Sequence, residues 1–151
     1  MYPKHAVSLL NQQFWTAFGK YMAPVLSTEG EKINWINYKA GIKFIRFNME
    51  AANNKASIAI EFLHPDKATQ QQQFNQLGNF KIQFEKTCGP SWQWQKLIID
   101  EQGKTISRIV KELNNASILN QDDWPKIISF LKPSLISLDN FWSHYKFALE
   151  A

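Results

Sequence analysis

Arg46 and Glu61 form the charged pair that this chain's spacing places together most specifically. Residues 41–63 read GIKFIRFNMEAANNKASIAIEFL, two alternating stretches on either side of Ala52-Asn53-Asn54-Lys55. If the chain turns there, Ile45 faces Phe62, Phe47 faces Ile60 and Met49 faces Ile58 on one side. On the other side Arg46 faces Glu61, Asn48 faces Ala59 and Glu50 faces Ser57. One apolar and one polar face is the pattern of a half-buried antiparallel pair. A guanidinium opposite a carboxylate at mid-strand forms a cross-strand ion pair worth roughly 0.2–1 kcal/mol. It becomes the charged element of a groove only if helices or a partner cover that polar face.

A second constellation is Trp92-Gln93-Trp94-Gln95-Lys96, with Arg108 and Lys111 on the stretch that returns beside it. Alternation puts Trp92 and Trp94 on one face with Lys96 next in line. Aromatic rings interleaved with cations are the platform on which single-stranded bases stack. The same alternation also packs cores. Exposure of Trp92 and Trp94 beside Lys96 and Arg108 would mark a nucleic-acid face; burial would mark an interaction module without one.

Catalytic patterns are incomplete. A nuclease of the restriction-endonuclease type needs Pro-Asp followed on a strand by an acidic-x-Lys triplet, whose carboxylates hold Mg²⁺. Pro65-Asp66 supplies the first half, and no acidic-x-Lys triplet occurs in the chain. Asp66 reads instead as a helix N-cap. His5, His64 and His144 lack metal-ligand spacing. No G-x-S-x-G nucleophile elbow exists, and the glycines are scattered at turns, so no catalytic residue, metal site or cofactor is expected. Cys88 falls at a helix C-terminus, where the dipole opposes a thiolate. An enzyme would require His64, Asp66, Arg46 and Glu61 to converge in one concave pocket. The candidate binding residues are therefore Trp92, Trp94, Lys96, Arg108, Arg46 and Glu61.

The 151 residues that must position these groups suit one domain, 1–151. The net charge of +4 is spread over 17 Lys and Arg, and no basic run of five exists to form an arm for polyanions. Aromatic residues make up 14% of the chain, which points to an aromatic-rich core. A single cysteine excludes an internal disulfide. No apolar run approaches the ~20 residues of a membrane span, and no secretory signal is visible at residues 1–4, so a cytoplasmic location is expected.

Val7, Leu10, Phe14, Phe18 and Met22 recur at helical spacing and predict a helix over 5–22. Strands are predicted over 33–38, 41–50 and 55–63, then a helix over 66–87 that stops at Cys88-Gly89-Pro90. Strands 92–99 and 104–112 form a second hairpin around Asp100-Glu101-Gln102-Gly103. A last helix covers 122–149, with Pro125 in its first turn and Pro133 inside. The fold class is α+β: about five antiparallel strands in two hairpin-based groups, with the helices packed mainly on one face. The last helix carries more apolar residues than one face needs, which points to either a deep core position or a homodimer contact.

Phe14-Trp15, Trp35, Ile60-Glu61-Phe62, Trp92-Gln93-Trp94 after Gly89, and Trp124 at the opening of the last helix carry a resemblance over the whole chain. The chain resembles a bacterial and archaeal domain-of-unknown-function family that occurs alone or C-terminal to restriction-endonuclease-like regions. The resemblance implies a fold and a setting near nucleic acid or phage defence, and implies no activity. The expected role is a non-catalytic binding or interaction module, with a nucleic-acid-binding accessory domain as the alternative. The expected partners are a second copy of the chain, another protein or nucleic acid, and not a membrane.

Overall fold

The computed structural model describes residues 3–150. β1 (Ile45–Ala52) and β2 (Lys55–Phe62) pair in the expected register, with Ile45 opposite Phe62, Arg46 opposite Glu61 and Glu50 opposite Ser57. Asn54 turns the chain at φ 75°, a left-handed conformation that asparagine tolerates. β3 (Gln93–Ile99) and β4 (Thr105–Asn114) form the second hairpin. β4 also pairs with β2, which joins both hairpins into one antiparallel sheet of order β1-β2-β4-β3.

Among the described residues, four α-helices complete the fold: α1 (Lys4–Met22), α2 (Lys67–Gly78), α3 (Lys81–Cys88) and α4 (Trp124–Tyr145). Ile58, Ile60 and Phe62 of β2 and Ile109 of β4 share one continuous core with Phe14, Phe18, Leu77, Phe84, Leu135 and Trp142 of the helices. Ala59 and Val110, on the opposite sheet face, lie outside that core cluster. The helices therefore pack on one face. Asp66 caps α2 as expected, accepting from the Thr69 backbone N–H at 3.1 Å.

Three expectations are corrected. The described residues form four strands, because 33–38 is not one. The apolar residues there serve anchoring rather than pairing. Asn34 Oδ1 accepts from the Asn37 N–H at 3.3 Å and turns the chain. Trp35 is buried, and its indole N–H donates to the Val25 carbonyl at 2.9 Å. Residues 23–44 thus form a strap without a regular helix or strand.

The helix over 66–87 is two helices. Gly78 ends α2, and the Phe80 N–H bonds back to the Leu77 carbonyl at 2.9 Å in a tightened turn. This break aims Phe80 at Tyr145 and Phe147, with ring centroids 4.9 and 5.9 Å away.

The last helix starts as a 3₁₀ turn over Gln121–Asp123, and a second 3₁₀ turn, Lys146–Leu149, follows α4. Pro133 stays inside α4. Its missing N–H leaves the Ser129 carbonyl without its usual helical donor. One residue on, the Ser134 hydroxyl donates to the Phe130 carbonyl at 2.7 Å.

Candidate functional site

The sheet face away from the helices carries Arg46, Asn48 and Glu50 on β1, Ser57 and Glu61 on β2, and Arg108 and Glu112 on β4. Strand pleating alone puts these polar residues on one side. Yet Ala59, Glu61, Ile106 and Val110 of this face are each no more than 5% exposed. Their burial comes from polar neighbours and from the β3–β4 hairpin.

The hairpin is redirected by a bulge. Gln95 faces Arg108, but Ile98 faces Ile106, so β3 holds an extra residue between them. Leu97 adopts φ 52°, and its N–H donates to Ser107 Oγ at 2.9 Å. Ser107 Oγ in turn donates to Gln70 Oε1 at 2.8 Å. Gln70 Nε2 donates to the carbonyls of His64 and Thr105 at 3.1 and 2.9 Å. Gln70 and Ser107 are fully buried, and this network satisfies them. A bulge adds local twist, and Ile98–Gln102 become one wall of a trough of ≈ 170 Å³ along the open face.

Glu61 sits in the middle of that trough. Its Oε1 accepts from Arg46 Nε at 2.6 Å and its Oε2 from Asn48 Nδ2 at 3.2 Å. Asn48 Nδ2 also donates to Glu50 Oε1 at 3.1 Å, so one amide bridges two carboxylates. The Arg46 side chain is 58% exposed, that of Glu61 only 6%. Arg108 is pinned in the same manner, its Nε donating to Gln95 Oε1 at 2.7 Å. No described residue accepts from the Nη nitrogens of either arginine. Arg46, Glu61 and Arg108 share one row across β1, β2 and β4. The two arginine α-carbons are thus about 10 Å apart, two strand spacings. At the β1–β2 turn end, Lys55 pairs with Glu112 at 3.1 Å. Glu50, Asp100 and Glu101 add negative charge, so carboxylates outnumber cations in the lining. The arrangement can grip and orient an ion. It has no paired nucleophile and base.

The other sequence candidates lie elsewhere. Trp92 and Trp94 face the helices. Trp92 is 6% exposed, donates to the Cys88 carbonyl at 3.0 Å and meets Phe84 edge-on at 5.5 Å. Trp94 is half-buried between Phe74 and Phe84, at 5.7 and 5.4 Å. Lys81 and Lys111 reach these rings at 5.8 and 5.9 Å, and Lys96 is exposed at the bulge. The two Trp rings and Arg108 are on opposite faces of the sheet, so the structure does not bring Arg108 beside them.

His64 and Asp66 do not line the trough with Arg46 and Glu61. His64 Nδ1 accepts from the Asp66 N–H at 3.0 Å. The Thr69 hydroxyl donates to Asp66 and holds its carboxyl below the usual range. Burial pushes the Cys88 thiol up to about 12, far from a reactive thiolate. Among the described residues, no cluster of His, Cys, Asp or Glu is placed to hold a metal, and no helix is long and apolar enough to cross a membrane.

Sequence reasoning missed Asp139. This carboxylate is 3% exposed within α4 and fastens the strap. It accepts from the Thr28 N–H at 2.8 Å, the Thr28 hydroxyl at 2.9 Å and the Tyr38 hydroxyl at 2.5 Å. Burial first, and the bond to Asp139 second, push the Tyr38 phenol far above its ordinary value. Tyr38, Asp139, Ser143 and Lys146 border a second cleft of ≈ 360 Å³. An acid flanked by Leu135, Leu138 and Trp142 on an apolar stripe was the available signal.

A four-stranded antiparallel sheet, helices on one face and a polar trough on the other define a small α+β domain. The chain belongs to the family of domains of unknown function DUF4268, which it matches over residues 10–146. No curated protein and no solved structure matches it.

Proposed function

We propose that the chain is a non-catalytic binding module, that the trough on the open sheet face is its recognition surface, and that its occupant is a protein segment carrying charges of both signs. The observation that carries this reading is Glu61: a carboxylate 5% exposed on a sheet face with no helix over it, pinning a guanidinium whose outer edge is unused. A merely structural ion pair does not need a concave setting. Carboxylates and cations both line the trough, which suits a mixed-charge segment. The same carboxylates repel a polyanion, and the Trp rings that would stack bases face the core. The bacterial nucleic-acid and defence systems suggested by the family resemblance are the first place to seek the partner.

The test compares wild-type protein with Arg108→Glu and with Tyr21→Ala, a change on the exposed side of α1. Each is immobilised, and a protein retained by the wild type is identified, prepared pure and titrated. The expected outcome is binding lost in Arg108→Glu and kept in Tyr21→Ala. Fluorescence anisotropy with labelled single- and double-stranded DNA and RNA runs beside it across a salt series. Micromolar nucleic-acid binding that weakens log-linearly with salt and requires Arg108 would replace the protein partner by nucleic acid.

A further inference from the structure

Building on the trough as the binding surface, we infer that the group it grips is a carboxylate, presented as an acidic side chain or a chain terminus and held by the outer edges of Arg46 and Arg108. The inference follows from which hydrogen-bonding capacity is already used. Both oxygens of Glu61 accept, from Arg46 Nε at 2.6 Å and Asn48 Nδ2 at 3.2 Å. Asn48 is committed to Glu50 as well, at 3.1 Å. Gln95 is committed to Arg108 Nε at 2.7 Å. Unused donor capacity is concentrated on the Nη edges of the two guanidiniums, each held through its Nε, while the free acceptor oxygens sit on Glu50, Asp100, Glu101 and Glu112 around them. A planar pair of donors matches the two oxygens of a carboxylate fork to fork. Both arginines are held through Nε, Arg46 by the buried Glu61 and Arg108 by Gln95, so part of their side-chain freedom is spent before a ligand arrives.

Charge and size select among anions. Glu50, Glu61 and Glu112 line the same trough, so a phosphate dianion meets more repulsion than a monoanionic carboxylate. The volume of ≈ 170 Å³ is smaller than the few hundred cubic ångströms of sites for larger ligands. It suits one side chain or one terminus better than a nucleotide.

The test is NMR titration of the ¹⁵N-labelled full chain at fixed ionic strength in chloride, following the Arg46 and Arg108 Nε–Hε signals. The probes are N-acetylaspartate amide for a side-chain carboxylate, N-acetylglycine for a terminal one, and inorganic phosphate. The expected result is saturable shifts with at least one carboxylate, weakened tenfold or more by Arg108→Gln, and weaker binding of phosphate. The tighter of the two carboxylates identifies the source. Arg108→Lys keeps the charge and loses the fork, so its affinity should fall nearly as far. Phosphate binding as tightly as both carboxylates would overturn the inference, as would carboxylate shifts unchanged in both folded Arg108 variants. If carboxylates fail while the purified partner still requires Arg108, the ligand class falls and the surface stands. If Arg108→Glu leaves partner binding unchanged, the surface itself falls.

Discussion

Ile60 and Glu61 are sequence neighbours on β2, and both are 5% exposed or less, yet they are buried by different means. Ile60 points to the helices and sits in a core of Phe, Leu and Trp side chains. Glu61 points the other way, beneath Arg46 and Asn48. On the helix face, burial is non-directional and scales with apolar area. On the open face, burial depends on each acceptor meeting a donor, since an unpaired buried polar group costs more than a paired one gains. The first face tolerates any well-packed apolar set. The second tolerates few substitutions, and its unused hydrogen-bonding capacity is therefore informative about a ligand.

The largest effect is expected on the helix face. Phe62 is fully buried and meets Phe74 edge-on at 5.4 Å. Phe62→Ala removes that ring and leaves a cavity, which should cost about 3–5 kcal/mol. For a domain of this size that lowers the melting temperature by roughly 6–20 °C, at about 2–4 °C per kcal/mol. Denaturant unfolding measures the loss. A cost below about 1 kcal/mol would mean the core repacks freely, and the contrast between the faces would weaken.

The middle effect belongs to the trough. Arg46→Met leaves Glu61 with Asn48 as its single hydrogen-bond donor. The expected cost is about 1–3 kcal/mol, the penalty for an under-satisfied buried group. It stays below the ~3–5 kcal/mol of a fully enclosed pair because Arg46 is 58% exposed and water can enter the vacated space. Glu61→Gln is also unfavourable: its oxygen can accept from Arg46, but its NH₂ then meets the Asn48 amide, donor against donor. A double-mutant cycle on unfolding free energies should give a coupling above about 0.5 kcal/mol. Additive costs would reduce the pair to a surface contact.

The extent to which each face was legible in sequence follows the same physics. The first hairpin was readable to the residue, because alternation and a short turn fix register together. The Arg46–Glu61 pair came with it. Its depth did not, since the bulge at Lys96–Leu97 that builds the wall is held by Ser107 and Gln70, and Gln70 is one of four consecutive glutamines with no local mark of burial. Trp92 and Trp94 were placed correctly on one face, but alternation cannot say which face the helices cover. The strap over residues 23–44 imitated a strand because its anchors, the buried Trp35 and the half-buried Tyr38, fall among polar residues. Arg108 opposite Glu61 required the β2–β4 pairing, a long-range contact that no local pattern encodes.

The smallest effect tests whether burial or charge separates the faces. Lys55 and Glu112 form an ion pair at 3.1 Å at the rim of the same trough, with side chains 52% and 35% exposed. Lys55→Ala should cost less than about 0.5 kcal/mol, because both groups stay in contact with solvent. The cost should vanish in about 1 M NaCl, where the screening length falls to ~3 Å. Arg46→Met should retain most of its cost in the same salt, since Glu61 is shielded by protein rather than by ions. Chemical unfolding of both variants in low and high salt makes the comparison. Equal costs, or equal salt sensitivity, would mean that summed charge governs the open face. Unequal ones would place its specificity in the Arg46–Asn48 set built around the buried Glu61 carboxylate, beside which a ligand's own carboxylate would be read.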